Sequence, residues 1–259
     1  MTAGVPLSLA GRVVVVSGAG GGGIGTTITR LAAEAGATVV AVDIQGEAPA
    51  ADLFLTADLT NEPEVKALYN TVAEKYGRID VLFNNAGIAL PEDGSVLETE
   101  VEVFNRLLKV NTLSVFLCCK HGLRHLIRNG GGSVVNTASL VASMGSAASQ
   151  IAYTASKGAV LSLTREIAVE FAKKGVKINA ISPGPVETPL LDTLFSPDQK
   201  ARRLIHVPYG RFAQAKEIAE AAVFLASDAS SYVNGTEFRV DGGITAAYVT
   251  AEGDPVPAP

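Results

Sequence analysis

Cysteine is nearly missing from this chain: its 259 residues hold two, adjacent at Cys118 and Cys119. That excludes a disulfide framework, and two neighbouring thiols fit burial in a reducing compartment. Charge is scarce as well. Charged residues make up 18% of the chain, and Lys+Arg 21 against Asp+Glu 26 leave a net charge of −5. No summed positive field exists to hold a nucleic-acid backbone or an anionic membrane, so neither is expected as a partner. No apolar run approaches the roughly 18 residues that a membrane-spanning helix requires. Met1 to Ala10 shows no basic residue ahead of an apolar stretch, so no secretory signal is read and a soluble, cytoplasmic protein is expected. Also missing are the Gly-x-Ser-x-Gly of a nucleophile elbow and the paired carboxylates of a glycosidase.

What is present is apolar and rich in glycine. Hydrophobic residues reach 47%, enough for one large core and too many for a disordered chain. Val13 to Val16 reads as a strand buried on both faces, and Ile24, Ile28, Leu31, Ala32 and Ala35 recur at helical spacing before Gly36. The alternation continues. Strands are read at Thr38–Val42, Leu53–Thr56, Val81–Phe83, Ser133–Thr137, Val176–Ile181 and Glu237–Val240. Helices are read around Val65–Tyr76, Glu98–Arg128 with a break near Val110, Tyr153–Lys173 and Lys216–Ala226. Such alternation predicts an α/β fold: a doubly wound, Rossmann-type parallel sheet with helices on both faces. No linker or repeat divides it, so residues 1–259 are expected to form a single domain. The proline-rich excursion from Pro183 to Tyr209 carries a short apolar helix candidate, Leu190–Phe195, and is read as a lid over about 185–209. The tail, 250–259, is expected to be loosely ordered.

The densest glycine cluster, Gly18 to Gly25, joins the first strand to the first helix. Glycines there let backbone N–H groups approach a pyrophosphate, and the helix N-terminus favours the anion. A tight packing turn would also use them. A phosphate loop of NTPase type has the Gly18–Gly23 spacing, but it needs Lys and Ser/Thr next, where Ile24 and Gly25 stand. A dinucleotide site is favoured by Asp43, a carboxylate at the end of the second strand and eighteen residues past Gly25, able to accept both ribose hydroxyls of adenosine.

Tyr153 and Lys157 stand four apart at a helix start and so share a face. A phenol titrates near 10, so acid–base work near neutrality calls for a depression of about 2–3 units. One ammonium in a partly dry site could supply much of it. Taken alone, a Tyr-x-x-x-Lys is more often a packed phenol and a solvated lysine. His121 and His125, with Cys118 nearby, have a metal-like spacing but no carboxylate cluster, so a solvated helix face and no metal are expected. Lys120, Arg124 and Arg128 form a basic stripe.

Read in order, the motifs resemble the short-chain dehydrogenase/reductase family in its single-domain branch of about 250 residues, from Leu9 to about Tyr248. They are Gly18 to Gly25, Asp58-Leu59, Asn84-Asn85-Ala86-Gly87, Tyr153 with Lys157, Pro183-Gly184 with Thr188, and Val240-Asp241-Gly242-Gly243. Ser17 replaces the family's Thr, and one extra glycine leaves the alignment of Ala19 to Gly22 open. The resemblance implies a catalytic set of Asn111, Ser139, Tyr153 and Lys157. Asn111 would hold a water through a helix distortion, Ser139 would hold the substrate oxygen, Tyr153 would exchange its proton, and Lys157 would tune Tyr153. It implies a cofactor set of Gly18, Gly23, Ile24, Gly25, Asp43, Asp58, Leu59, Asn85, Ala86, Gly87, Tyr153, Lys157, Pro183, Gly184, Val186 and Thr188. The expected activity is NAD(H)-dependent interconversion of a secondary alcohol and a ketone. Val186, Leu190, Leu191, Leu194 and Phe195, with Met144 opposite, point to a predominantly apolar small-molecule substrate. The alternatives are a reductase of carrier-bound 3-oxoacyl thioesters and a dinucleotide-binding regulatory protein without turnover. A homotetramer built on helix–helix contacts is also expected.

Overall fold

The computed structural model describes residues 7–146 and 148–248; the expected loose tail at 250–259 lies outside the described residues. In chain order the elements are β1 (Val13–Ser17), α1 (Ile24–Glu34), β2 (Thr38–Asp43), β3 (Leu53–Thr56), α2 (Glu62–Tyr76) and β4 (Val81–Asn84). There follow α3 (Val101–Leu108), a π-helical turn at Lys109–Leu113, α4 (Ser114–Arg128), β5 (Gly132–Thr137), α5 (Ile151–Phe171) and β6 (Val176–Pro183). The last third holds β7 (Val186–Glu187), α6 (Pro189–Leu194), α7 (Pro197–Leu204), β8 (Ala213–Gln214), α8 (Ala215–Ala226) and β9 (Glu237–Val240).

The seven long strands form one parallel sheet in the order β3-β2-β1-β4-β5-β6-β9, and β7 pairs with β8 apart from it. Successive residues of β1 point to opposite faces, so its valines serve two cores. Val13 and Val15 pack with Val40, Leu68, Val72, Leu123 and Val160 under α2, α4 and α5. Val14 and Val16 pack with Ile28, Ala32, Ile218 and Ala222 under α1 and α8. The sheet is thus doubly wound, and the chain reverses direction across it between β1 and β4. That reversal opens a crevice at the carboxyl ends of the strands.

Several boundaries differ from the sequence reading. The helix expected from Glu98 begins at Val101, and its break near Val110 is the π-helical turn. The lid holds two helices where one was expected. Its second, α7, has no apolar stripe, yet Ser196 and Gln199 form a capping box with Pro197 inside the first turn. Cys118 and Cys119 are both buried, and burial lifts the Cys118 thiol to about 12. His121 is not on a solvated face: it is buried, with Nε2 3.0 Å from Glu62 Oε1. Among the described residues no helix is long and apolar enough to cross a membrane, and no three His, Cys, Asp or Glu side chains gather as a metal site.

Candidate active site

The crevice is built from strand ends. Ser17, closing β1, accepts from the backbone N–H groups of Asn85 (3.0 Å) and Ala86 (3.2 Å), and its hydroxyl donates to the Phe83 carbonyl. A hydroxyl suffices for this tie between β1 and β4, so serine in place of threonine costs nothing here. Asn85 donates through Nδ2 to the carbonyls of Ser17 and Gly18, which fixes the mouth of the glycine loop. Gly18 has φ +68°, and a Cβ there would stand 2.7 Å from the Ala86 backbone.

The loop from Gly18 to Gly23 leads into α1, whose N-cap residue Gly23 makes no side-chain cap bond. Its first-turn N–H groups are therefore free of side-chain acceptors, the arrangement that receives a phosphate. Asp43 ends β2, with Oδ2 accepting from Gly20 N–H at 2.8 Å and Oδ1 from Ile44 N–H at 2.7 Å. Each oxygen keeps a lone pair for a further donor. Arg12 is held by Asp228 and Arg30 by Glu34, so neither guanidinium turns to Asp43. A bare helix N-terminus, small residues along the loop and a carboxylate at the second strand end fit a nicotinamide dinucleotide.

Asp58 accepts from both the N–H and the hydroxyl of Thr60, which hold its carboxyl below the usual range. Gly87 lies where an added Cβ would come 3.2 Å from Asn111 Oδ1 and 3.3 Å from Lys157 Nζ. Pro183 closes β6, and a Cβ on Gly184 would meet the Asp241 backbone at 2.8 Å. Thr188 caps α6, and a Cβ added at Gly23 would stand 3.8 Å from its methyl group. Two expected cofactor residues present less than was read from the sequence. The Leu59 and Val186 side chains are core, so only their backbones are left to face a ligand. Val186 is therefore no part of an apolar substrate wall. Of the other lid residues, Phe195 carries the Arg203 guanidinium 3.7 Å above its ring, which makes that wall less apolar than expected.

The catalytic candidates converge at the end of β5. Lys157 is buried, donates to the Thr137 carbonyl at 2.9 Å, and sits 5.7 Å from the centre of the Tyr153 ring. Burial lowers its ammonium to about 8. Burial also raises the Tyr153 phenol above its ordinary value, while Ser139 beside it acts the other way. The depressed phenol expected from the sequence is thus not a property of the chain by itself. Lys157 points part of its charge at Thr137, and desolvation outweighs what remains. Asn111 is fully buried in the π-helical turn, with Oδ1 accepting from Ile88 N–H and Nδ2 donating to the Ile88 carbonyl and Ser156 hydroxyl. Both its N–H donors are spent, so the backbone and one remaining lone pair on Oδ1 are what is left there for a water.

Two contributors escaped the sequence reading. Glu237 on β9 accepts from the Ser143 hydroxyl at 2.7 Å and anchors the loop that carries Ser139. Asp93 accepts from the backbone N–H of Ala152 (3.0 Å) and of Tyr153 (2.8 Å). Neither pairing has a sequence signal, since each joins segments tens of residues apart.

A family profile described as enoyl-(acyl carrier protein) reductase matches residues 18–245. The cis-4-hydroxycyclohexanecarboxylate dehydrogenase of Sinomonas cyclohexanicum is 41% identical over 252 residues, covering 92% of this chain and 98% of the relative. The levodione reductase of Leifsonia aquatica is 39% identical, covering 92% and 95%. A structure from Beutenbergia cavernae, assigned as an NAD(P)-dependent gluconate 5-dehydrogenase with NADP at low occupancy, superposes with TM-score 0.87 at 36% identity, over 94% and 100% of the two chains. The chain belongs to the short-chain dehydrogenase/reductase family, single-domain oxidoreductases that bind a nicotinamide dinucleotide.

Proposed function

We propose that this protein is an NAD(H)-dependent dehydrogenase interconverting a secondary alcohol and a ketone on a small, predominantly apolar molecule. The observation that carries the reading is the meeting of Tyr153, Ser139 and Lys157 at the end of β5, beside the crevice between β1 and β4. The N-terminus of α1 with Gly18, Gly23, Ile24 and Gly25 would hold the pyrophosphate. Asp43 would take the ribose, and Asp58 with the Leu59 backbone would take the adenine. Asn85, Ala86, Gly87, Pro183, Gly184, Val186 through its backbone, and Thr188 would enclose the nicotinamide half. When bound, the nicotinamide supplies or takes the hydride.

The chain's own part is the proton. Ser139 donates to the carbonyl or alcohol oxygen and fixes it against the phenol. Tyr153, whose proton is held tightly by burial, gives that proton to the oxygen in reduction and removes it in oxidation. Lys157, when cationic, biases the phenol toward its ionised form and presents its free N–H groups to the ribose. Hydride acceptance from cyclohexanol, cis-4-hydroxycyclohexanecarboxylate and a 3-hydroxyacyl thioester, followed by NADH absorbance, tests substrate class. The thioester arm addresses the carrier-substrate alternative; the matching profile is described by an acyl-carrier substrate, though for an enoyl and not a 3-oxoacyl group. The basic stripe lends that alternative little, because Lys120 is already paired with Glu62. No turnover with any alcohol or ketone, together with tight NADH binding, would favour a regulatory binder.

NAD(H) is preferred to NADP(H) because a 2′-phosphate would stand within about 4 Å of the Asp43 carboxylate. At an effective dielectric near 20 that repulsion is about 4 kcal/mol per charge pair before solvent relaxes it. Even a third of it gives roughly tenfold. The kcat/KM ratio is expected to favour NAD by at least about tenfold, and Asp43→Ala to narrow it. Equal use of both cofactors by the unaltered protein would remove Asp43 from this role. The protein is further proposed to act in the cytoplasm as a homotetramer.

A further inference from the structure

The first-turn N–H groups of a helix have no partner within the helix, and α5 begins without a local cap: Gln150 makes no side-chain cap bond. They are nevertheless all satisfied. Ile151 N–H donates to the Gly94 carbonyl (3.3 Å), Ala152 N–H to Asp93 Oδ1 (3.0 Å) and Tyr153 N–H to Asp93 Oδ2 (2.8 Å), before Thr154 N–H makes the first intrahelical bond, to the Gln150 carbonyl (3.0 Å). All three outside acceptors therefore come from two residues in the loop between β4 and α3. That loop is itself pinned. Asp93 N–H donates to the Leu90 carbonyl, and Gly94 N–H to the Thr99 hydroxyl. Asp93 is buried, and both its oxygens are spent on α5.

We infer that Asp93 is the positioning residue for Tyr153: a carboxylate from a distant loop that caps α5 and fixes the backbone of the residue bearing the phenol. The inference rests on the proposed reading of Tyr153 as the proton-exchanging group. A carboxylate suits the place because a helix N-terminus favours negative charge and offers two N–H donors to its two oxygens. The phenol hangs on the residue whose N–H is held, so release of the cap lets the hydroxyl drift from Ser139 and the substrate oxygen. Reacting groups misplaced by about 1 Å lose roughly 100-fold in rate. The glycine loop, the N-terminus of α1 and Asp43, which would hold the adenosine and pyrophosphate, touch neither bond, so dinucleotide affinity should be largely spared.

Three variants of the full chain, Asp93→Ala, Asp93→Asn and Tyr153→Phe, decide the matter. Measurements are kcat and KM with the best alcohol of the cyclohexanol, hydroxycyclohexanecarboxylate and thioester panel, NADH affinity by fluorescence, and thermal unfolding. Asp93→Ala is expected to lower kcat about 10–100-fold with NADH affinity unchanged within about twofold. Asp93→Asn keeps one acceptor and should recover part of the loss. Unchanged kcat in Asp93→Ala overturns the proposal. So does a loss of kcat that tracks equal losses of NADH affinity and melting temperature and is not relieved in Asp93→Asn. Should Asp93→Ala fail to fold, Asp93→Asn decides alone: lowered kcat at intact NADH affinity supports positioning, and wild-type kcat overturns it. Tyr153→Phe separates the two levels. If it retains turnover, the reading of Tyr153 itself fails; if it is dead while Asp93→Ala is fully active, only the positioning role fails.

Discussion

Single residues in the glycine loop show how finely space is allotted there. The structure distinguishes the glycines that the sequence left ambiguous by the room each has. Gly20 donates to Asp43 and lies so close to the Gln45 carbonyl that a Cβ would collide with it. Gly21 has no positive φ and nothing within 4 Å of an added Cβ. Gly21 is thus the residue the turn could do without. Gly21→Ala should bind NADH within about threefold of the unaltered protein. Gly20→Ala must displace either the Gln45 carbonyl or the Asp43 side chain, and so should weaken NADH binding by tenfold or more, since 1.4 kcal/mol is already a factor of ten. Fluorescence titration of the two variants checks this, and equal affinities would mean the loop is more plastic than its packing implies.

Among the elements, legibility follows the range of the forces involved. The four valines of β1 announce a doubly buried strand because each position must be apolar. The π-helical turn showed as a weakness near Val110, since Asn111 is a poor helix former. What holds it, the reciprocal pair of hydrogen bonds between Asn111 and Ile88, is a contact across 23 residues that periodicity cannot report. The cap of α5 by Asp93 escaped for the same reason. Helix α7 was legible through its capping box and overlooked for want of an apolar stripe. The lid's chemistry was read from composition alone, and the structure revised it: Val186 went to the core and Phe195 to Arg203. Leu191, half-buried where Thr188 caps α6, is the lid residue still proposed as an apolar wall. Leu191→Ala should raise KM for an apolar substrate by roughly 10–200-fold per lost contact, with NADH affinity little changed. Weakened NADH binding in that variant would instead mean that α6 organises the cofactor.

At the scale of the whole molecule, apolar side chains remain exposed on the helices over one face of the sheet. Val101 on α3, Phe116 on α4 and Val169 on α5 are 65%, 42% and 79% exposed. A homotetramer covering these flanks is expected, and sedimentation velocity at micromolar concentration should show it; a stable monomer would rule it out. The folded chain should also carry a particular dependence of stability on pH. Lys157 titrates near about 8 when folded, against 10.5 for an ordinary lysine. Between those values the unfolded chain holds more protons than the folded one, so stability rises with pH across that window. Tyr153, Cys118 and Cys119 act in the opposite sense at higher pH. Burial makes them keep protons that the unfolded chain loses above the ordinary values of 9 for the thiols and 10 for the phenol. From about pH 8 to about pH 9 Lys177, which burial also lowers to about 8, contributes in the same sense as Lys157, so the share of Lys157 is read as a difference between variants. One proton transferred in full amounts to about 1.4 kcal/mol per pH unit, and partial titration near the folded midpoint leaves about 1 kcal/mol over that unit. Lys157→Met replaces the ammonium with an apolar group of similar length and removes this contribution. Urea unfolding of the cofactor-free protein at the two pH values should thus show stability rising with pH less steeply in Lys157→Met than in the unaltered chain, by about 1 kcal/mol. Identical slopes would mean that Lys157 keeps its ordinary affinity for a proton, and that its bond to the Thr137 carbonyl fully offsets its burial.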